Sequence, residues 1–215
     1  MYIPVPTSGG VDSNRYAGFM HDALGEALAN RRMMAVLPHV RGRLLDVGCG
    51  FNKLVRRYAN GIGVDVHPWP GADFIVQDTA ALQWETASFD TVTIIAALNH
   101  IPNRQAVLKE CRRVLRPGGH VVVTMLTPRT SRIWHWLRAP WDADQRQRGM
   151  RPGEVYGFTS AELLDLFKDA GFILLSRQAF MLGLNRVYVF GLADTGQTAI
   201  GRLESNEPAG LARVS

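Results

Sequence analysis

Between residues 43 and 126 the chain alternates short apolar runs with segments of helical spacing, and few folds accept that rhythm. Strands read at "RLLDVGC" (43–49), "GIGVDV" (61–66), "DFIVQD" (73–78), "FDTVTIIAAL" (89–98) and "HVVVTML" (120–126). Several are β-branched and almost continuously apolar, as strands buried on both faces are. Helices are expected at about 51–58 and 103–115, the second ended by "RPGG". Such alternation implies a parallel sheet with helices on both faces, joined by right-handed crossovers.

The flanks are different. From Ser13 to about Leu37, Phe19, Leu24, Leu28 and Met34 fall near helical spacing with Pro38 just beyond, which predicts one long helix or two short ones. After residue 126 the rhythm breaks. Residues 127–158 hold three of the five tryptophans and many charges, and read as an insertion. "TSAELLDLFKDAG" then opens on Thr159 or Ser160 as a helix cap, with Glu162 early in the helix and Gly171 closing it. Two last strands, "FILLSRQAF" and "NRVYVFGLA", are joined by "MLGL", a link suited to a hairpin. The expected organisation is an N-terminal helical segment over 1–42, a main domain over 43–193 and a flexible tail over 194–215.

Composition narrows the class of protein. The 215 residues, 47% hydrophobic and 20% charged, suit one globular domain. The start lacks a basic stretch followed by an apolar run, and no stretch nears the roughly 18–20 apolar residues of a membrane span, so a cytoplasmic protein is expected. The net charge is +5 and the pI about 9.6. The basic residues are nearly all Arg and are scattered, with lysine only at Lys53, Lys109 and Lys168, so a nucleic-acid partner is disfavoured. Of the two cysteines, Cys49 sits in a glycine loop and Cys111 in an expected helix, which argues against a structural disulfide.

The first strand ends in chemistry. Asp46 is followed by Gly48-Cys-Gly50-Phe-Asn52-Lys53, and a second acid, Asp65, closes the next strand about 20 positions on. In nucleotide-binding α/β folds such an acid accepts hydrogen bonds from ribose hydroxyls, while the glycine loop lets backbone approach the ligand. Lys53 stands where a dinucleotide G-x-G-x-x-G would have its third glycine. A nicotinamide or flavin dinucleotide is thereby disfavoured.

The motifs "LLDVGCG", "GVDV", "VQDTAALQW", "FDTVTIIAALNHIPN" and "ECRRVLRPGGHVVVTM" occur here in an order and spacing that resemble the class I S-adenosylmethionine-dependent methyltransferases. The resemblance is to the small-molecule group that includes the ubiquinone and menaquinone methyltransferases. It implies a Rossmann-like sheet of seven mostly parallel strands, order 3-2-1-4-5-7-6, whose last strand runs antiparallel. It also implies S-adenosylmethionine as cofactor, S-adenosylhomocysteine as product, and a methyl group passed to an oxygen or carbon of a small molecule. Asp46, Gly48, Cys49 and Gly50 match the motif around the methionine part. Asp65, with Val66 beside it, matches the ribose acid, and Asp78 with Thr79 matches the adenine site. Ala96 and Ala97 match the stretch bordering the methyl group. Asn52 replaces a glycine found in many relatives and is a candidate partner for the cofactor carboxylate.

His100 is the candidate general base, because it follows the central strand at the end where the pocket opens. The insertion lies where this family adds substrate-covering elements. Trp134, Trp136 and Trp141 are candidates for the wall of an apolar or ring-shaped acceptor, Arg138, Arg148 and Arg151 for holding a carboxylate or phosphate, and Glu154 and Tyr156 for substrate-facing polar groups. Packing of the insertion onto the sheet would account for the tryptophans equally well. The N-terminal helix, with Tyr16, Phe19, Met20 and His21, is a candidate lid. His135, Asp142 and Asp144 lack the spacing of a closed metal site, and no metal is expected. The rival readings are an RNA methyltransferase and a non-catalytic S-adenosylmethionine-binding adaptor. Oligomeric state and acceptor identity stay open.

Overall fold

A computed structural model describes residues 3–4, 23–126, 153–155 and 157–193. Its strands are β1 (Ile3–Pro4), β2 (Leu44–Val47), β3 (Gly61–Asp65), β4 (Phe74–Ile75), β5 (Phe89–Ile95), β6 (Leu115–Leu126), β7 (Phe172–Phe180) and β8 (Asn185–Leu192). Four α-helices are described: α1 (Ala23–Val36), α2 (Lys53–Tyr58), α3 (Arg104–Val114) and α4 (Ser160–Asp169). The strands form one sheet in the order β1-β4-β3-β2-β5-β6-β8-β7. Pairing is parallel from β4 to β6, and β8 runs antiparallel to both its neighbours.

The seven expected strands are therefore present in the expected order. The short β1 adds an eighth by pairing antiparallel with β4. The N-terminal segment is thus not purely helical. A two-residue strand has no readable alternation, and it forms because β4 would otherwise leave its edge groups unpaired. The helix expected from about Ser13 is seen as α1, followed by a 3-10 turn at Leu37–His39; residues 5–22 lie outside the described residues. β6 begins at Leu115, five residues earlier than the apolar run suggests, because Leu115 pairs with Phe89 across an irregularity that absorbs "RPGG".

Side-chain alternation sorts the core into two layers. Val121, Val123 and Met125 of β6 and Tyr188 and Phe190 of β8 join Leu108 and Cys111 of α3 and Leu163 and Phe167 of α4. Val122 of β6 and Val187 and Val189 of β8 face the other way, against Val36 of α1 and Leu54 and Val55 of α2. The helices follow their apolar periodicity onto these faces: Val107, Leu108, Cys111 and Val114 are the buried residues of α3. Phe167 stacks on Phe190 at 3.8 Å between centroids. Thr159 caps α4 through a capping box with Glu162, and burial and turn together set its direction. The end of α1 is core, packed by Val36. The candidate lid residues Tyr16, Phe19, Met20 and His21 fall outside the described residues.

Candidate active site

The sheet order reverses beside β2, which has β3 on one side and β5 on the other. The crevice outside the carboxyl ends of such strands is where open α/β sheets take their ligands. A groove of about 570 Å³, lined by Lys109, Arg112 and Asp169 among others, lies at the opposite ends of the strands. It lacks the acid and glycine pairing of the crevice, so chemistry and not volume selects the site.

Three of the predicted acids reach the crevice by different routes. Asp46 is buried in β2, and its Oδ1 accepts from Thr93 Oγ1 at 2.6 Å. Burial pushes this carboxyl up to about 7; the Thr93 hydrogen bond opposes the rise and the Asp65 charge adds to it. Asp65, at the end of β3, accepts from Gly50 N at 3.0 Å and from His67 N at 2.9 Å, so its carboxylate ties the glycine loop to the turn after β3. Asp78 is exposed. Its Oδ1 accepts from Ala80 N at 2.8 Å and from Asn103 Nδ2 at 3.1 Å, which joins the adenine-side turn to the start of α3.

The glycine loop is shaped by close approach. Gly48 has φ +72°, and a Cβ there would lie 2.6 Å from the Cβ of Ala97. Gly50 has φ +53° with open space around it, so backbone faces the crevice without a side chain between. Ala96 is held in the left-handed region at φ +52°, an unfavourable place for a residue with a Cβ, and its N–H donates to Thr124 Oγ1. Ala96 and Ala97 thus close the crevice on the β5 side. Val66 is 55% exposed beside Asp65, and Thr79 is buried.

Asn52 has a different part from the one expected of it. Its backbone sits at φ +59°, which asparagine tolerates and which explains why glycine would also serve there. Its Nδ2 donates to Gly71 O at 3.0 Å and to Asp73 Oδ2 at 2.9 Å. A Cβ at Gly63 would overlap its Oδ1. The side chain fastens the loop beneath β3, and both amide hydrogens are committed there.

Cys49 is half-buried, and desolvation followed by the charges of Asp46, Asp65 and Asp73 pushes its thiol up, so the residue is a small neutral filler. Cys111 is buried in α3, and both cysteines are free thiols. The same three carboxylates make the loop negative, while nearby Lys53 is engaged by Glu26 at 2.6 Å. This fits a cationic ligand. S-adenosylmethionine carries an ammonium and a sulfonium, and a buried carboxylate such as Asp46 gains a counter-charge from either.

The acceptor side is partly visible. His100 closes the 3-10 turn Leu98–His100 after β5; its Nε2 lies 3.0 Å from Asn99 Nδ2 and its Nδ1 3.8 Å from Glu154 Oε2. Trp134, Trp141 and Tyr156, with Trp136, Arg138, Arg148 and Arg151, fall outside the described residues, as do His135, Asp142 and Asp144. No cluster of potential metal ligands occurs among the described residues. Asn185 is buried at the start of β8, where its Oδ1 accepts from Arg186 N. No described helix is long and apolar enough to cross a membrane.

Sequence reasoning did not single out Asn103, Arg104, His67 or Trp69. His67 and Trp69 pack edge to face at 4.8 Å, and Phe51 of the glycine loop lies 5.2 Å from Trp69, so an aromatic group stands beside Asp65. The prolines and glycine of "HPWPG" mark only a turn. Nothing in that string shows which way the rings face.

Residues 45–123 match the family model described as "Methyltransferase domain". A ubiquinone biosynthesis O-methyltransferase of Idiomarina loihiensis is 29% identical over 65% of this chain and 68% of its own length. A ubiquinone/menaquinone biosynthesis C-methyltransferase of Desulfotalea psychrophila is 32% identical over 53% of this chain and 51% of its own. Among solved structures, the 1,6-didemethyltoxoflavin-N1-methyltransferase of Burkholderia thailandensis, bound to S-adenosylhomocysteine, superposes with a TM-score of 0.56 at 16% identity. It covers 90% of this chain and 95% of its own, and it shares the fold.

Proposed function

We propose that this chain, a class I S-adenosylmethionine-dependent methyltransferase, passes the methyl group to an oxygen or carbon of a small-molecule acceptor, with His100 as the base. The observation that carries the cofactor site is the joining of Asp65 to Gly50 N at the switch point of the sheet. The relatives named as O- and C-methyltransferases of quinone biosynthesis support the acceptor class.

The cofactor supplies a methyl on a sulfonium centre, which an acceptor atom displaces in line. The chain's own part is to hold, orient and deprotonate. Asp46 neutralises the ammonium of the methionine part, and Asp65 accepts from the ribose hydroxyls with lone pairs left over after Gly50 and His67. Asp78 and Thr79 serve the adenine, with Val66 against the ring. Gly48, Cys49 and Gly50 allow backbone approach, and Ala96 and Ala97 border the methyl group. Trp134, Trp141 and Tyr156 wall the acceptor, and His100 takes its proton.

The test is calorimetric titration of the full chain with S-adenosylhomocysteine, with NADH as control. Saturable one-to-one binding of the former alone is expected, and Asp65→Ala weakens it by about 1.5–3 kcal/mol, the range for hydrogen bonds to a charged group. Unchanged affinity in the folded variant refutes the ribose assignment. Turnover of phenolic or quinol acceptors that is equal in wild type and His100→Ala across pH 6 to 9 refutes the base.

A further inference from the structure

Asn103 stands at the cap position of α3, where asparagine is among the residues that best serve their own helix. Its carbonyl does so, accepting from Ala106 N at 2.9 Å and Val107 N at 3.1 Å, but its side chain makes no capping hydrogen bond. The amide crosses instead to the turn after β4, where Nδ2 donates to Asp78 Oδ1 at 3.1 Å and to Oδ2 at 3.3 Å. A carboxylate only accepts, so the nitrogen of the amide, not its oxygen, faces Asp78. A side-chain cap is worth about 1 kcal/mol to a helix, and here it is given up for a contact with a residue 25 positions back in the chain.

The start of α3 is held from its other side as well. Arg104 Nε donates to Leu98 O at 3.0 Å, and its Nη2 donates to Asn99 O at 3.1 Å and to Gly153 O at 2.6 Å. Val155 N donates to Asn99 O at 3.0 Å, so residues 153–155 are pinned against the turn after β5. Asn103 therefore reaches Asp78 from an anchored backbone. On the turn itself, Ala80 N is committed to Asp78 Oδ1 at 2.8 Å and Ala81 N to Asp78 O at 3.2 Å. Oδ1 thus has two donors. Oδ2 has only the longer arm of the Asn103 amide, and it is the oxygen with room for another donor.

We infer that Asn103 is a positioning residue that fixes the Asp78 carboxylate with Oδ2 presented to the base of the cofactor, and that the site thereby takes a 6-aminopurine and refuses a 6-oxopurine. The inference rests on the proposed adenine role of Asp78. The amino group of adenine donates to Oδ2. A 6-oxo group only accepts, so it sets one acceptor against another, and an unmatched polar pair of this kind discriminates more strongly than a difference in size. Without the Asn103 amide, Asp78 keeps only the Ala80 N contact and, being exposed, turns its carboxylate toward water. It still attracts an amino group, but no oxygen is held in place against an oxo group.

The experiment is calorimetric titration of the full chain and two variants with S-adenosylhomocysteine and with S-inosylhomocysteine, its 6-oxo analogue. The wild type is expected to favour S-adenosylhomocysteine by roughly ten- to hundredfold, the range for one hydrogen bond to a charged group. Asn103→Ser separates positioning from structure: serine caps a helix as well as asparagine does, so α3 keeps its start, but the hydroxyl is too short to reach Asp78. Its preference is expected to fall by about threefold or more while its Tm is not lowered. Asp78→Asn, which no longer offers a carboxylate, is expected to lose the preference. An undiminished ratio in Asn103→Ser overturns the inference, because a purely structural tie would move stability and not the ratio. Equal affinity of the wild type for the two compounds overturns it whether or not the variants fold. A preference that survives in Asp78→Asn overturns the adenine assignment and the inference with it. Failure of the wild type to bind either compound overturns the cofactor site itself, a result distinct from a ratio that ignores Asn103.

Discussion

Asp46→Asn is expected to stabilise the ligand-free protein at neutral pH while weakening its hold on the cofactor. The carboxyl is buried in β2, has the Thr93 hydroxyl as its hydrogen-bond donor, and feels the Asp65 charge; burial is the largest cause of its rise from 3.8 to about 7. In the unfolded chain it ionises near 3.8, but in the folded protein it keeps its proton until about 7. Across that window the folded state binds more protons, so stability falls as pH rises, by about 1.4 kcal/mol per unit. The upper limit of the loss at pH 8 is about 4 kcal/mol. Asparagine keeps the shape and the acceptor for Thr93 and cannot ionise. The gap in stability between variant and wild type should be near zero at pH 4, widen through the window and level off above pH 7. At roughly 2–4 °C per kcal/mol for a chain of this size, the Tm gap at pH 8 has a ceiling of about 8–16 °C. Thermal melts at five pH values from 4 to 8, without ligand, measure it. Saturating S-adenosylhomocysteine should narrow the gap, because its ammonium stabilises the wild-type carboxylate. Parallel melting curves for the two proteins at every pH, or a less stable variant at pH 8, would refute this account of Asp46.

Other perturbations test the frame around the site. Gly48→Ala places a Cβ 2.6 Å from that of Ala97 at a positive φ, and urea unfolding should show a loss of about 1–3 kcal/mol; a loss below about 0.5 kcal/mol contradicts the packing. Arg104→Met removes the donor to Leu98 O, Asn99 O and Gly153 O, so hydrogen exchange at the Val155 amide should quicken at least tenfold while exchange in β2 is unchanged. Equal protection at Val155 speaks against the pinning of residues 153–155. Thr159→Ala breaks the capping box of α4 and should cost about 1 kcal/mol, read from the chemical unfolding midpoint; no change means that Glu162 does not need its partner.

Local pattern carried much of the fold. β2, β3 and β5 lie within the apolar runs that mark them, because a buried parallel strand leaves an apolar signature that needs no partner to be read. Likewise "TSAE" announces its own cap, since the capping box closes within one turn. β1 and the early start of β6 were illegible for the opposite reason: each is set by a partner strand, β4 and β5, not by its own residues. In the site, Asp46, Asp65 and the glycine pair could be found because chain order mirrors their order across the sheet.

What only the tertiary structure decided is how those groups are held. Asn52 looks the same on paper whether it faces a ligand or Asp73, 21 residues away in the chain, and folding chose Asp73. Glu154 reads as a polar residue at the end of an insertion until Arg104, 50 residues earlier, draws Gly153 against the turn after β5 and sets the carboxylate beside His100. Periodicity and capping act through neighbours a few residues apart, so the sequence alone determines them. A buried hydrogen bond or charge pair between distant segments exists only once the sheet has brought its ends together, and its partners cannot be read before that.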